Sequence, residues 1–386
     1  MRILLVNAHG TDPSYGGAER RVRYLAAGLN ARGHEVQVLS AFPFRGEPSF
    51  ETHVLHETDW REDRLRRLRN HVGDVVSAPW PRLRARVRAA SPDVVHTHNL
   101  PGIGTGIWEA ARREAIPVVH SILDYYLLCP RTTLVRRDGS PCRPSPLLCG
   151  ARTRRLARWD DAVDTVLGAS NYILAVHRHL FPAAAARHAV PPPLRPPSHP
   201  PPQPVTTAPS TLGYVGALTV EKGVGLMLAA APSLARGGLT LRVAGDGPLR
   251  AEVERADDVV YEGRLEGPAL ASFLGTCDVG VVPSLWDEPG GGPFVLGEWL
   301  GAGRPVLATA RGGLAEAARR GGVMAFGESA AELVDAALRL GDRDEWRQLL
   351  ASVPKVDGDE ELHRWVEEHE AAYKAALQRS VGGATE

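Results

Sequence analysis

Proline cuts this chain in two. Pro191–Pro193, Pro196–Pro197 and Pro200–Pro202 crowd one short stretch. Each proline lacks a backbone N–H and has a fixed φ, so the stretch cannot enter the interior of a helix or a sheet. Residues 191–210 are expected to form an extended, semi-rigid hinge. Before it, short apolar runs at Arg2–Asn7, His34–Ser40, Asp93–His96, Pro117–Ser121 and Thr165–Ala169 read as strands. Between the first two, Ala18–Arg32 has helical period and Gly33 closes it. After the prolines the rhythm restarts. Strands are expected at Thr211–Val215, Leu239–Ala244, Val259–Glu262, Asp278–Val282, Pro305–Thr309 and Gly322–Ala325. Helices are expected at Val224–Ala235, Pro268–Thr276, Phe294–Ala302 and Glu328–Arg339. Repeated strand–helix–strand units predict parallel sheets with helices on their faces. The fold class is therefore α/β, with domains over residues 1–190 and 211–359. An amphipathic helix is expected to close the chain within 360–386, its apolar side formed by Leu362, Trp365, Val366, Tyr373 and Leu377. The Arg-dense stretch from Trp60 to Ala90 reads as solvated helix faces.

Charge narrows the function. Among 386 residues, 45 Lys and Arg balance 45 Asp and Glu. A zero sum argues against nucleic acid or an anionic membrane as a partner of the whole chain. At most peripheral membrane contact is expected. No apolar run approaches the roughly 18–20 residues of a span. The N-terminus is too briefly apolar for a signal peptide and reads as a strand. Four cysteines in so long a chain read as reduced thiols, and a cytoplasmic location is expected. Lysine is rare: Lys222, Lys355 and Lys374 stand among arginines.

The candidate sites all follow strands. Gly16-Gly17-Ala18-Glu19-Arg20 opens the first long helix, either to cradle an anion or as a plain turn. His96 and His98 share a face if the strand continues, as polar lining, structural histidines or part of a metal site. Asp124 either works on a hydroxyl or caps a helix. The spacing of Cys129, Cys142 and Cys149, which share a loop with Arg131 and Arg143, fits no zinc ribbon. Lys222 is a compact charge suited to phosphate, or a solvated helix-start residue. Gly245-Asp246-Gly247-Pro248 reads as a tight turn. Pro283–Glu298 is the densest signal. There a strand ends, Gly290-Gly291-Gly292 expose amides as an anion nest, and Glu288 and Glu298 flank them. Carboxylates beside phosphate suit hydroxyls of ribose or sugar.

These motifs, in this order, resemble the retaining nucleotide-sugar glycosyltransferases of family 4. The resemblance rests on G-G-A-E-R at Gly16–Arg20, P-D-V-V-H-T-H-N at Pro92–Asn99, and D-Y-Y-L-L-C-P-R at Asp124–Arg131 with R-R-D-G-x-x-C at Arg136–Cys142. It continues with Y-V-G-x-L-x-x-E-K-G at Tyr214–Gly223, G-D-G-P-L at Gly245–Leu249, D-V-x-V-x-P-S at Asp278–Ser284, the Glu288…Glu298 pair, and G-x-P-V-x-A-T-x-x-G-G-L-x-E at Gly303–Glu316. It implies the GT-B fold, two Rossmann-like domains facing each other across a cleft, with the last helix crossing back to the first domain. It implies transfer of a sugar from a nucleoside-diphosphate-sugar to a small-molecule or lipid-linked acceptor, with retention and with no metal or cofactor. Lys222, Glu288 and Asp124 are implied to be catalytic. The donor diphosphate is implied to lie against Gly16, Gly17, Lys222, Gly290, Gly291 and Gly292. Glu298, Gly245 and Leu265 are implied to hold the nucleoside, and His98, Asn99, Asp124 and Tyr125 to face the acceptor.

The chain departs from the family at four places. Leu123 stands where the family has His, Ala217 where it has Arg, and Pro191–Pro193 where it has Asn-Gly. Glu288 and Glu298 are ten residues apart (298 − 288) instead of the family's eight. The rival readings are a non-catalytic nucleotide-sugar-binding subunit or sensor, and a nucleotide-sugar epimerase of the same fold. The D-x-D strings at Asp342–Asp344 and Asp357–Asp359 read as helix caps.

Overall fold

The computed structural model describes residues 1–12, 16–43, 50–56, 80–136, 139–145, 147–184, 186–193, 208–290, 294–355 and 357–382. The chain groups into two units. The first is Met1–Leu134, Arg143–Val190 and His363–Glu386; the second is Val135–Cys142 and Pro191–Leu362. Most of the expected hinge, 194–207, and the Arg-dense 60–79 lie outside the described residues; Trp80–Ala90 is a helix.

The first unit carries strands β1 (Arg2–Asn7), β2 (Glu35–Ser40), β3 (Glu51–Val54), β4 (Val94–Thr97), β5 (Val118–Ile122), β6 (Thr165–Gly168) and β7 (Ala186–Ala189). They form one sheet in the order β3-β2-β1-β4-β5-β6-β7, every pair parallel. The second unit carries β8 (Thr211–Ala217), β9 (Thr240–Asp246), β10 (Val259–Gly263), β11 (Val279–Val282), β12 (Val306–Thr309) and β13 (Val323–Phe326). Their order is β10-β9-β8-β11-β12-β13, again parallel throughout. Both are doubly wound Rossmann-like sheets. In each the strand order reverses once, between β1 and β4 and between β8 and β11. Open parallel sheets bind ligands at that reversal, beyond the strands' carboxyl ends.

Local chemistry explains the elements that frame those ends. The central strands are apolar because both faces are covered, as Leu4, Leu5 and Val6 in β1 and the whole of β11 are buried. The first helix, Gly17–Ala31, ends in a Schellman motif: Gly33, at φ 81°, donates to Asn30 at 3.0 Å and His34 donates to Leu29 at 3.1 Å. In the second unit, Gly213 of β8 and Gly280 of β11 make room for Trp299. A Cβ at either would lie 2.5 Å from that ring. Asp342 caps the helix Arg343–Ala351 through the amides of Asp344 and Glu345, and Asp357 caps the last helix through Asp359 and Glu360.

The last helix, Gly358–Gly382, belongs to the first unit from His363 onward. There Glu370 accepts from Arg32 at 2.7 Å and lies 2.8 Å from His34 Nε2. Tyr373 Oη meets His96 Nδ1 at 2.7 Å, and Val366 fills the space over Gly28. Val135–Cys142 falls in the second unit, although it precedes the prolines. It forms a small antiparallel bridge, Val135 to Pro141, and Gly139 packs on Val220.

Candidate active site

At the reversal of the second sheet, the loop after β8 and the loop after β11 meet. Lys222 Nζ donates to Glu288 Oε1 at 2.7 Å and sits 5.0 Å from the centre of the Trp286 ring. Ser284 Oγ donates to the same carboxylate oxygen at 2.6 Å. Thr309 Oγ1, at the end of β12, donates to Ser284 carbonyl at 2.6 Å. The Glu288 side chain is 4% exposed and Lys222 26%, so the carboxylate is fixed within the protein and the ammonium reaches its surface. A buried carboxylate needs such partners, since an unpaired one would lose its hydration without replacement. The nearby Tyr214 phenol is pushed above its usual range by burial first, then by the charges of Glu288 and Glu221.

Backbone approach fixes the loop. Gly313 N–H donates to Glu288 carbonyl at 2.7 Å, and a Cβ on Gly313 would lie 1.5 Å from the Gly290 carbonyl. Gly223, at φ 75°, places its missing Cβ 1.9 Å from the Pro283 carbonyl. The loop after β11 can meet the loop after β8 at Gly223, and the helix Gly312–Ala318 after β12 at Gly313, only because these positions carry no side chain. Gly245 does the same between β9 and β8, where a Cβ would lie 1.9 Å from the Gly216 carbonyl. Glu298 is buried on the helix Phe294–Gly301, and Leu265 is partly buried against the cluster around Trp299. Gly291 and Gly292 lie outside the described residues.

At the reversal of the first sheet lies a polar cavity of about 180 Å³. Ala8 and His9 line it beyond β1, Asn99 and Pro101 beyond β4, Asp124 and Thr132 beyond β5, and Glu19 from the first helix. Asp124 accepts from Tyr126 N–H at 2.8 Å, which holds the turn that follows β5; the sequence had left a cap and a hydroxyl partner both open. Its carboxyl is pushed up to about 6, mainly by burial and further by the charge of Glu19, against the Tyr126 hydrogen bond and Arg152. Gly16 and Gly17 begin the helix that carries Glu19, and Gly16 carbonyl accepts from Arg20 N–H at 3.3 Å.

Of the expected acceptor-side residues, Asn99 and Asp124 line this cavity. His98 and Tyr125 are buried behind it. The His98 ring packs on His96 at 4.1 Å between centroids, and Tyr125 stacks on His177 at 6.2 Å. His96 is structural: it bonds Tyr373 and Ser121, and burial pushes its pKa well below the usual histidine value. Among the described residues no group of three or more His, Cys, Asp or Glu side chains is placed to hold a metal ion. All four cysteines are free thiols. Sequence reasoning singled out neither Ser284 and Thr309 nor His9 and Glu19 as side chains of these sites. Glu19, Ser284 and Thr309 stood inside quoted motifs, which was the available signal.

The profile described as Glycosyltransferase Family 4 matches residues 15–195, and that described as Glycosyl transferases group 1 matches residues 209–343. The chain is a family 4-like GT-B glycosyltransferase. It is 29% identical over 361 residues to a glycogen synthase of Mycobacterium tuberculosis, covering 83% of this chain and 81% of that one. It is 26% identical over 351 residues to a GDP-mannose-dependent alpha-mannosyltransferase of Mycolicibacterium smegmatis, covering 81% and 80%. Among solved structures, sucrose-phosphate synthase from Thermosynechococcus elongatus shares the fold with a TM-score of 0.69, 19% identity and 99% of each chain covered. No helix among the described residues of this glycosyltransferase is long and apolar enough to cross a membrane.

Proposed function

We propose that this glycosyltransferase moves a hexose from a nucleoside-diphosphate-sugar to a hydroxyl of a small-molecule or lipid-linked acceptor, with retention at the anomeric carbon and without a metal. The observation that carries the reading is the Lys222–Glu288 pair at the β8/β11 reversal, 2.7 Å apart and braced by Ser284. A lysine at that crevice suits a diphosphate. Charge develops on the leaving diphosphate as the bond from C1 to its oxygen breaks, and Lys222 together with loop amides beyond Glu288 meets that charge. Glu288, released from Lys222 by the arriving phosphate, faces the sugar hydroxyls. Glu298 serves the ribose, with Gly245 and Leu265 beside the base. The acceptor oxygen bonds to C1 on the face the diphosphate leaves, and its proton passes to the departing phosphate oxygen. Asp124 and Asn99 orient that acceptor.

The M. smegmatis relative is named for GDP-mannose, which supports a nucleoside-diphosphate-sugar donor and leaves the base open. The test is release of nucleoside diphosphate from a panel of UDP-, GDP-, ADP- and TDP-sugars, with product configuration read by NMR. One donor is expected to turn over and to give the configuration it started with. Tight nucleotide binding with no turnover across an acceptor panel supports the sensor reading instead. An inverted product removes the same-face mechanism.

A further inference from the structure

We propose that the tip formed by Leu147 and Leu148, with the arginines around it, docks on an anionic membrane surface. Leu147 is 80% exposed and Leu148 79%, whereas the other exposed large hydrophobics among the described residues reach at most 46%. The two leucines stand side by side where the helix Leu148–Leu156 begins. They are not a core that failed to pack, because the helix has its own buried anchor in Leu156. Helical spacing puts exposed Ala151 and Arg154 in line with Leu147, and Ala151 and Arg155 in line with Leu148. Arg143, Arg154 and Arg155 are exposed and have no acidic partner among the described residues.

The sequence around the tip is predominantly basic. From Tyr125 to Trp159 it holds eight arginines and a single acid, Asp138, in a chain whose formal charge sums to zero. Of these, Arg143, Arg154 and Arg155 are the exposed cations of the first unit beside the leucines, a local basic patch that the zero sum does not show. A protruding pair of leucines flanked by unpaired cations matches the headgroup boundary of an anionic bilayer, where the leucines enter the acyl edge and the guanidinium groups stay among phosphates. Two leucines are too little apolar area for a stable protein interface, which needs about 800 Å² on each partner. The same helix is tied to the Asp124 turn. Arg152 turns inward, donates to Tyr126 carbonyl at 2.6 Å and lies 5.1 Å from the centre of its ring. Docking would hold the Asp124 cavity near lipid-borne hydroxyls, a consequence that rests on the glycosyl-transfer reading; the docking itself does not.

The full chain is tested by co-sedimentation with vesicles of phosphatidylcholine alone, and of phosphatidylcholine containing about one-third phosphatidylglycerol. Binding is expected on the anionic vesicles only, and weaker as salt rises. Leu147→Ser with Leu148→Ser is expected to weaken it at least about tenfold, and Arg154→Gln or Arg155→Gln about fivefold each. Circular dichroism and the thermal midpoint confirm that each variant folds. Wild-type binding by the double leucine variant, or equal binding to neutral vesicles, overturns the proposal. So does a dimer in light scattering that the leucine variant breaks, which assigns the tip to a second copy of the chain. Failure of the transfer reading leaves vesicle binding unchanged, so the two fail separately.

Discussion

Where the strand order reverses in the first unit, between β1 and β4, the crevice gathers Glu19, Asp124 and Asn99. Where it reverses in the second, between β8 and β11, it gathers Lys222, braced by Glu288 and Ser284. The two sheets share parallel doubly wound order and bring loops together in the same way. The loops then set opposite electrostatics, a carboxyl-lined cavity in one and a surface-reaching ammonium in the other. The reversal thus supplies a place to bind, and the side chains decide the charge of what enters. Histidine is distributed as unevenly. Every described histidine lies in the first unit, and the second contains only His199, outside the described residues.

That asymmetry gives the largest expected effect. His96, His98, His120, His177 and His369 are buried in the first unit, and burial holds each below the usual histidine pKa, His120 and His369 at about 3 and His177 at about 4. Below pH ~6.5 the unfolded chain takes up protons that the folded unit refuses, so stability falls with pH, by up to ~1.4 kcal/mol per pH unit for each histidine. Glu370, held at about 2 chiefly by its hydrogen bond to Arg32, adds a loss as pH falls from the ordinary carboxyl range toward its folded value. Asp124, Asp160 and Asp164 act the other way, because burial raises them and favours their protonated folded form. The histidines prevail in number and in depth of burial. The first unit is expected to lose hydrogen-exchange protection near pH 5 while the second keeps it, read segment by segment after correction for intrinsic rates. Loss in both units together would break the contrast.

Next in size is Lys222→Ala. It removes the cation of the second reversal and leaves Glu288 buried with Ser284 alone. Turnover is expected to fall about 10²–10³-fold, as when one charge-stabilising donor is lost from an active site. Steady-state kinetics and nucleotide titration separate the outcomes: lost affinity with unchanged turnover would make Lys222 a binding residue only. Ser284→Ala follows. A hydrogen bond to a charged partner is worth about 1.5–3 kcal/mol, so the second unit's unfolding free energy should fall within that range and its melting midpoint should drop, while the first unit's is unchanged. An unmoved midpoint would mean that Lys222 alone holds the carboxylate.

The central strands were legible because both faces of each are covered, leaving plain apolar runs. The edge strands of the first sheet were not. Glu51–Val54 and Ala186–Ala189 are partly or wholly exposed and carry His53, Arg187 and His188, so no run appears. Alternation correctly put His96 and His98 on one face but could not say which, and that face turns inward onto Tyr373. Lys222 stood out in the sequence as one of three lysines among arginines. Its contact with Glu288 spans 66 residues and depends on β8 lying beside β11, an adjacency that local sequence does not encode. The grouping of Val135–Cys142 with the second unit is likewise a tertiary fact, set by packing such as Gly139 on Val220.

The smallest effect tests the carboxyl side of the comparison. Asp124, raised to about 6 mainly by burial, is ionised above that pH and protonated below it. If the ionised form orients the acceptor hydroxyl, kcat/KM should rise through pH 6 and level off above it. Asp124→Asn keeps an oxygen for the Tyr126 N–H and so preserves the turn. It removes the charge, so the plateau should drop roughly tenfold, the scale of one charged hydrogen bond. The inflection near pH 6 should vanish with it. An inflection that survives the substitution would assign the pH dependence to another group and remove Asp124 from the acceptor site. Glu19→Gln sharpens the same test. With the neighbouring charge gone, the inflection should move below pH 6, because Glu19 is one of the two influences that raise Asp124. A shift upward would mean that Glu19 does not act on Asp124 through its charge.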